Sequence, residues 1–380
     1  MSAGVGVSSV YVHAPFCVRR CLYCDFAVQV RRSGDADEWL AAFAGELRAV
    51  ESEGLLPLAP SLGTLYVGGG TPSLLGPTAM DGLARVLGRE RLTDPGLEWT
   101  AEANPESLTA GVASAWREAG VNRLSLGVQS FHEPALRWMG RLHGPEGAAA
   151  AVAAARSAGI GDLSVDLMFG LPARLGRSWK RDVEKALALD VPHVSLYGLS
   201  VEPATPLGRA VAEGREMGVD EELYREEFLE AAELLAGAGF EHYEVSNFAR
   251  PGHASRHNGA YWTGAPYLGL GNGAHSYAPP VRRWNVRAWD AYSAKASQGQ
   301  SPEEGREVLD AAALRLERIW LGLRTSAGLS LEGLESAALA LVAEWVREGW
   351  AVPVGPRVRL TPTGWLLLDR LAVELDGMCA

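Results

Sequence analysis

Cysteine is scarce in this chain, and its distribution is uneven. Four cysteines occur in 380 residues: Cys17, Cys21 and Cys24 lie within one short stretch, and Cys379 lies next to the end. Secreted domains that depend on a disulfide framework are rich in paired cysteines, so this composition excludes that class. We interpret Cys379 as incidental, and the three clustered cysteines as the feature that needs a chemical explanation.

Positive charge and long apolar runs are also lacking. Asp and Glu total 46 against 35 Lys and Arg, which gives a formal net charge of −11. Nucleic acids and anionic membranes bind clustered basic side chains, so neither is expected as a general partner. No stretch reaches the roughly eighteen apolar residues of a membrane span, and the N-terminus lacks a basic segment followed by an apolar one. We therefore predict a cytoplasmic protein that does not span a membrane.

The first half of the chain predicts an α/β fold. Short β-branched runs alternate with Ala- and Leu-rich helical stretches, a pattern typical of a parallel sheet with right-handed crossovers. The sheet could be open or rolled into a barrel, and in barrels the chemistry gathers at the C-terminal strand ends. The strand-like runs are 9–12, 64–67, 97–101, 123–128, 163–168 and 193–199, and the helix candidates are 35–53, 77–89, 109–119, 144–158 and 177–189.

The three clustered cysteines follow the first predicted strand with the spacing C-x3-C-x2-C. Iron–sulfur cubes usually take four cysteine ligands, so three thiolates would leave one iron open to a substrate or cofactor. Two other interpretations stay open from spacing alone. One is a disulfide, and the other is a structural zinc site completed by His13 or Asp25.

Polar and glycine residues follow the later strands in the same way. The Gly-Gly-Gly-Thr-Pro-Ser turn at 68–73 is either a simple tight turn or a place where a ligand approaches the backbone. Glu102 closes the third strand, where a solvated polar cap is the simpler explanation. Asp166 interrupts an otherwise apolar strand, and a buried carboxylate without a partner is costly. A ligand donor or Arg141 would serve as that partner.

Residues 240–277 form a segment that is rich in histidine, aromatic residues and glycine. A segment of this length is long for a simple connection, and long ordered loops tend to be functional. It contains His257-Asn258-x-x-Tyr261-Trp262. For any single histidine in this segment, the simpler explanation is a structural role in which the ring is hydrogen-bonded. A helical stretch at 220–238 precedes this segment, and its alternating charges predict a solvated face.

The C-terminal part, from about residue 288, predicts a small winged-helix-like domain. Amphipathic helices at 307–323 and 339–348 precede a hairpin at 351–362 and a last helix at 364–375. Such modules often bind nucleic acid, but residues 303–380 carry twelve acidic residues and eight arginines. We therefore interpret this domain as a lid or a partner surface. The predicted boundaries are 1–240, 241–287 and 288–380.

The cysteine spacing, the preceding Tyr11-x-His13-x-Pro15 and the Gly-Gly-Gly-Thr-Pro turn together resemble the radical S-adenosylmethionine (SAM) superfamily. More narrowly, they resemble the branch that holds the oxygen-independent coproporphyrinogen III dehydrogenases and the heme chaperones. The resemblance implies a partial parallel (β/α)6 barrel of the TIM type with a small C-terminal helical domain. It implies that Cys17, Cys21 and Cys24 ligate a [4Fe-4S] cluster whose open iron binds SAM. The positions that match SAM contacts are Tyr11, Tyr23, Gly69, Gly70, Thr71, Glu102, Gln129, Arg141 and Asp166.

Two functions compete within this branch. A heme chaperone binds heme and passes it to acceptor proteins, and the motif His257, Asn258, Tyr261 and Trp262 is associated in the family with heme binding. Because imidazole is a common ligand of heme iron, the resemblance implies that His257 is the candidate heme ligand. A dehydrogenase instead uses the SAM-derived radical to decarboxylate coproporphyrinogen III oxidatively. The dehydrogenases carry a further cysteine where this chain has Phe26, and a longer segment ahead of the cluster loop, so the chaperone is favoured. A radical SAM enzyme with another substrate is a third possibility.

The sequence assigns no catalytic residue and does not identify the heme acceptor. Transient contact with membrane acceptors and a monomeric or dimeric state are both compatible with it.

Overall fold

Seventeen strands and fourteen α-helices occur in the computed structural model, which describes residues 6–54 and 56–379. The strands are β1 (Ser9–Ala14), β2 (Phe16–Cys17), β3 (Gln29–Val30), β4 (Thr64–Gly69), β5 (Glu98–Ala103), β6 (Arg123–Gln129), β7 (Asp162–Phe169), β8 (His193–Gly198), β9 (Glu241–Glu244), β10 (Asn247–Ala249), β11 (Leu268–Leu270), β12 (His275–Ala278), β13 (Val281–Asn285), β14 (Glu303–Val308), β15 (Leu329–Ser330), β16 (Ala351–Val354) and β17 (Arg357–Leu360). The helices are α1 (Ala36–Glu53), α2 (Ala79–Leu87), α3 (Ala110–Ala119), α4 (Glu133–Met139), α5 (Gly147–Ser157), α6 (Trp179–Ala188), α7 (Pro206–Ala212), α8 (Glu221–Gly237), α9 (Arg256–Trp262), α10 (Trp289–Ser297), α11 (Ala311–Arg324), α12 (Ser336–Arg347), α13 (Pro362–Trp365) and α14 (Leu368–Gly377).

The core is a nine-stranded sheet with the order β11-β1-β4-β5-β6-β7-β8-β10-β9. Strands β1, β4, β5, β6, β7 and β8 pair in parallel and correspond to the six predicted strands. Val10, Val12, Leu65 and Val67 are fully buried, because helices cover the outer face of the sheet. Within the described residues the two edge strands, β11 and β9, do not pair with each other, so the sheet is a partial barrel, as predicted.

Three strands of this sheet come from residues beyond 240. Strand β11 adds in parallel to β1, and the antiparallel pair β9 and β10 extends the other edge beside β8. Helix α9, between these additions, contacts β4. The boundary predicted at residue 240 therefore cuts through one sheet, and residues 241–270 belong structurally to the core.

Helix α8 differs from the solvated helix that its charges predicted. Phe228 and Leu235 are buried, and Glu227 is 7% exposed. The Glu227 carboxylate accepts hydrogen bonds from Arg177 Nη2 at 2.5 Å and from the Gly170 amide at 2.7 Å. The helix is amphipathic, and this ion pair explains how an acidic side chain occupies its buried face.

The C-terminal part keeps the predicted order of helix, helix, hairpin and helix, but the short strand β15 follows α11 and the last helix is divided into α13 and α14. The antiparallel sheet β12-β13-β14 leads into it, and the small sheet β15-β17-β16 forms the wing. Helix α11 meets the edge of the core sheet, where the Val245 amide donates to the Arg324 carbonyl at 3.1 Å. Among the helices of the described residues, none combines the length and apolar character that crossing a membrane requires.

Candidate functional site

The three clustered cysteines lie in a loop that leaves the C-terminal end of β1. The short parallel pair β2 and β3 closes this loop at its base. All three thiols line one cavity of about 320 Å³ at the C-terminal ends of the core strands. Cys17 Sγ lies 3.4 Å from Thr71 Oγ1, and Arg141 Nη1 lies 3.8 Å from Cys21 Sγ. The structure thus brings the cysteines together with residues from the ends of the other five parallel core strands, β4 to β8.

The three thiols line one cavity but do not converge on a single point. Within residues 6–54 and 56–379, no three His, Cys, Asp or Glu side chains converge closely enough to share one ion. Three irons of a cube would each take one thiolate, so the sulfurs need to surround the cluster without meeting at one point. Burial raises the pKa of the Cys17 thiol to about 11, and coordination to a metal would deprotonate it.

His13 does not provide the fourth ligand that a zinc site would need. Its imidazole is 6% exposed, and its Nδ1 lies 3.0 Å from the Tyr11 hydroxyl. Its Nε2 lies 3.0 Å from the Ala27 carbonyl oxygen. Burial lowers the pKa of His13 to about 4, so the neutral ring is a structural link between β1 and the end of the cysteine loop.

The glycine turn after β4 forms the floor of the cavity. Gly69 has a φ of 107°, and a Cβ there would lie 2.2 Å from the His13 ring, so both backbone conformation and space require glycine. The Gly69 amide donates to Glu102 Oε2 at 2.9 Å, and the Tyr66 hydroxyl donates to Oε1 at 2.8 Å. Burial raises the pKa of Glu102 to about 7. The Glu102 carboxyl is therefore poised to gain charge when a cationic group approaches.

The opposite wall holds Gln129, Arg141 and Asp166. Asp166 accepts hydrogen bonds from Ser125 Oγ at 2.9 and 3.1 Å, and burial raises its pKa. Gln129 has a φ of 67°, an uncommon conformation for a residue other than glycine. Its Oε1 and the Arg141 Nε are buried without a hydrogen-bond partner among the described residues. Unsatisfied polar atoms that line a cavity are what a polar ligand would complete.

A second cavity, of about 610 Å³, adjoins the first. We call it the aromatic cavity and the first the cluster cavity. Asp25, Phe26 and Gly69 line both. The other side chains that define the aromatic cavity are Tyr11, Tyr261, Trp262, Tyr267, His275, Tyr277, Arg282, Arg287, Glu317 and Trp320.

The motif at 257–262 lies on α9. Some of its side chains face the core, and others face the aromatic cavity. Tyr261 and Trp262 line the cavity, whereas His257 is 1% exposed. Its Nδ1 lies 2.8 Å from Thr64 Oγ1, and its Nε2 lies 2.9 Å from the Tyr261 hydroxyl. Burial lowers the pKa of His257 to about 3. The prediction that His257 ligates heme iron does not agree with this geometry, because both ring nitrogens are engaged inside the core.

Comparison with known proteins places the fold and the site in one family. The model of the radical SAM superfamily matches residues 11–186. The chain is 38% identical to the heme chaperone HemW of Mycobacterium tuberculosis strain H37Rv over 97% of this chain and 94% of the relative. It is 36% identical to the heme chaperone HemW of Bacillus subtilis, with 85% of each chain covered.

The chain belongs to the HemW family of radical SAM proteins. A bovine relative, the mitochondrial radical S-adenosyl methionine domain-containing protein 1, is 35% identical over 85% of this chain and 74% of its own length. The structure of the Escherichia coli coproporphyrinogen III oxidase HemN superposes with a TM-score of 0.79 at 22% identity, covering 98% of this chain and 90% of that one. This likeness confirms the radical SAM fold of the HemW family member described here.

Of the SAM positions predicted from the sequence, all but Tyr11 line the cluster cavity of this HemW family member. Tyr11 instead faces the aromatic cavity. The sequence prediction missed Asn104 and Tyr197, which also line the cluster cavity. Asn104 Nδ2 donates to Thr71 Oγ1 at 3.1 Å, and Tyr197 is 43% exposed at the end of β8. The sequence indicated these two residues only through their positions near the C-terminal ends of predicted strands.

Proposed function

We propose that this chain is a heme chaperone, which binds heme in the aromatic cavity and delivers it to an acceptor protein. A SAM-coordinated [4Fe-4S] cluster occupies the adjoining cluster cavity. The relatives that cover most of this chain at 36–38% identity are heme chaperones by name, which supports the proposal. The acceptor is a protein whose own heme site remains to be filled.

The observation that carries the proposal is the chemistry of the aromatic cavity. Heme is a flat apolar macrocycle with two propionates, and aromatic side chains pack well on such a surface. The volume of the aromatic cavity, about 610 Å³, falls within the range of roughly 300–1,000 Å³ that small-molecule sites occupy. Tyr261, Trp262 and Trp320 supply aromatic surface, and Arg287 supplies positive charge. The Trp262 Nε1 is buried without a hydrogen-bond partner among the described residues, which leaves a donor for the occupant.

The cluster cavity has the donors that its two groups require. Cys17, Cys21 and Cys24 would ligate three irons, and the fourth iron would bind the amino and carboxylate groups of SAM. We propose that the Gly69–Thr71 turn and Glu102 contact the methionine part. Tyr23, Gln129, Arg141 and Asp166 contact the remainder of SAM. The cluster, when bound, supplies an electron at low potential.

The second candidate function is oxidative decarboxylation of coproporphyrinogen III. The near-complete set of predicted SAM positions in the cluster cavity favours it, because a carrier alone does not need to cleave SAM. Phe26 argues against it. This side chain is 54% exposed and stands where the dehydrogenases have a further cysteine.

An anaerobic assay separates the two functions. The reconstituted and reduced protein is incubated with SAM and coproporphyrinogen III, and protoporphyrinogen is measured beside a heme titration. We expect stoichiometric heme binding and no catalytic turnover, followed by transfer of heme to an apo-hemoprotein. Turnover at a catalytic rate without heme binding would contradict the proposal.

A further inference from the structure

His275 differs from every other histidine of the chain in its hydrogen bonding. The imidazole rings of the other seven lie within hydrogen-bond distance of at least one partner in the described residues: His13, His132, His143, His193, His242, His253 and His257. The structure gives the ring of His275 no hydrogen bond to any described residue, although the residue is exposed and lines the aromatic cavity. A histidine with both ring nitrogens available is a ready metal ligand.

The position of His275 is fixed by its surroundings. It begins β12, pairs in register with Trp284 of β13, and its ring stacks on that indole with centroids 6.0 Å apart. Two hydrogen bonds hold the turn that precedes His275. The Gly271 amide donates to Glu46 Oε2 at 2.7 Å, and Asn285 Nδ2 donates to the Gly271 carbonyl at 2.9 Å. A ligand side chain on a rigid strand is held in place before the metal arrives.

Arginine side chains flank the ring within the same cavity. Arg282 is engaged, because its guanidinium bonds Glu307 at 3.1 Å and also contacts Glu317. Arg287 is exposed, and no carboxylate of the described residues lies within 4.0 Å of it. Its Nη2 donates to the Asp25 carbonyl of the cysteine loop. A guanidinium that has no carboxylate partner and lies beside an aromatic cavity is suited to a carboxylate of the bound molecule.

We propose that His275 is the axial ligand of heme iron in the aromatic cavity and that Arg287 pairs with a heme propionate. The proposal rests on the proposed heme-binding function and names the residues that would perform it. The fixed position of the ring on β12, stacked on Trp284 at the wall of the aromatic cavity, supports it.

The test compares heme with metal-free protoporphyrin IX, which has the same ring and propionates but no iron. Both are titrated into the full-length wild type, His275→Ala, Arg287→Ala and the control His253→Ala, whose ring lies outside both cavities on Asp162. Groups that only orient a metal ligand are worth about 10–100-fold in affinity, so loss of the ligand should cost at least about tenfold. We expect His275→Ala to weaken heme binding by that factor and to leave protoporphyrin binding unchanged.

The remaining outcomes are also decisive. Arg287→Ala should weaken both porphyrins, because both carry propionates, and His253→Ala should weaken neither. External imidazole should restore the absorption and resonance Raman signature of the ligated heme in His275→Ala. Equal weakening of both porphyrins in His275→Ala, or an unchanged heme spectrum, would overturn the ligand assignment. A wild type that binds no heme would contradict the proposed function itself.

Discussion

The cluster cavity and the aromatic cavity share a wall but are built in different ways. The cluster cavity lies at the ends of consecutive parallel strands, and its walls carry thiols, carboxylates, amides and three arginines. The aromatic cavity is assembled from the cysteine loop, α9, β12, β13 and α11, and its walls are mainly aromatic. A parallel sheet fixes the first site before any cofactor arrives. The second depends on how the later segments pack against the core.

A column of side chains connects the two cavities through the barrel interior. The Tyr66 hydroxyl donates to Glu102 in the cluster cavity, and the Tyr66 ring stacks on His257 with centroids 5.1 Å apart. His257 in turn contacts the hydroxyl of Tyr261 in the aromatic cavity. Glu98 anchors helix α9, because its carboxylate accepts hydrogen bonds from the backbone amides of Arg256 and His257, both at 2.9 Å. The cavities differ in chemistry but share this support.

The largest expected effect is a complete loss of cluster binding while heme binding is retained. Replacing Cys21 by Ala removes one of three cluster ligands, so we expect the reconstituted protein to lose the cluster's visible absorption. Heme affinity should stay unchanged, since no cysteine lines the aromatic cavity. Iron and sulfide analysis beside a heme titration measures both, and Cys379→Ala is the control that should retain both properties. Loss of heme binding in Cys21→Ala would mean that the cavities act as one site.

Glu98→Ala should affect the aromatic cavity through the support of α9. The substitution leaves two backbone amides without their charged acceptor, and each such hydrogen bond contributes about 1.5–3 kcal/mol. We expect the free energy of unfolding in urea to fall by about 3 kcal/mol. Heme affinity should fall as well, whereas SAM affinity should not change. Glu90→Ala, at an exposed position of a short 3₁₀ helix, is a control that should leave stability unaltered.

His257→Ala tests whether this histidine is structural or a ligand. The change leaves Thr64 and Tyr261 without their shared partner, so we expect a loss of about 1–3 kcal/mol in the free energy of unfolding. The spectrum of bound heme should keep its imidazole-ligated form. Disappearance of that signature in His257→Ala, with retention in His275→Ala, would restore the prediction made from the motif.

The smallest expected effect is a pH dependence confined to the cluster cavity. The pKa of Glu102 is raised to about 7, so its carboxyl must release a proton before it can pair with a cationic group of SAM. SAM affinity should therefore fall by up to about tenfold per pH unit below 7 and level off above it. Titrations of the cluster-loaded protein at about pH 6, 7 and 8 measure this dependence. In Glu102→Gln the affinity should be lower and independent of pH over that range.

The sequence predicted the cluster cavity far better than the aromatic cavity, for a physical reason. Parallel strands bring their C-terminal ends to one place, so Cys17, Glu102 and Asp166 could be grouped from strand order alone. Tyr11 was the exception, because its position on β1 turns it toward the other cavity. The six parallel strands and the C-terminal helices were predictable from apolar periodicity.

The aromatic cavity could be predicted only in part. The motif on α9 indicated the correct helix, but periodicity does not show which side of a short helix faces the core. Tyr261 and Trp262 reach the cavity, whereas His257 turns inward. His275 and Trp320 are 45 residues apart in the chain and meet only through tertiary packing. The edge strands β9, β10 and β11 were missed because they are only three or four residues long.

Crystals that contain both the cluster and heme would test the separation of the two sites most directly. Anomalous difference density at the iron absorption edge locates every iron atom without reference to a heme model. We expect one compact peak at Cys17, Cys21 and Cys24 and a separate single-iron peak at coordination distance from a ring nitrogen of His275. An iron peak at His257, or heme iron inside the cluster cavity, would contradict the division of this protein into a cluster site and a heme site.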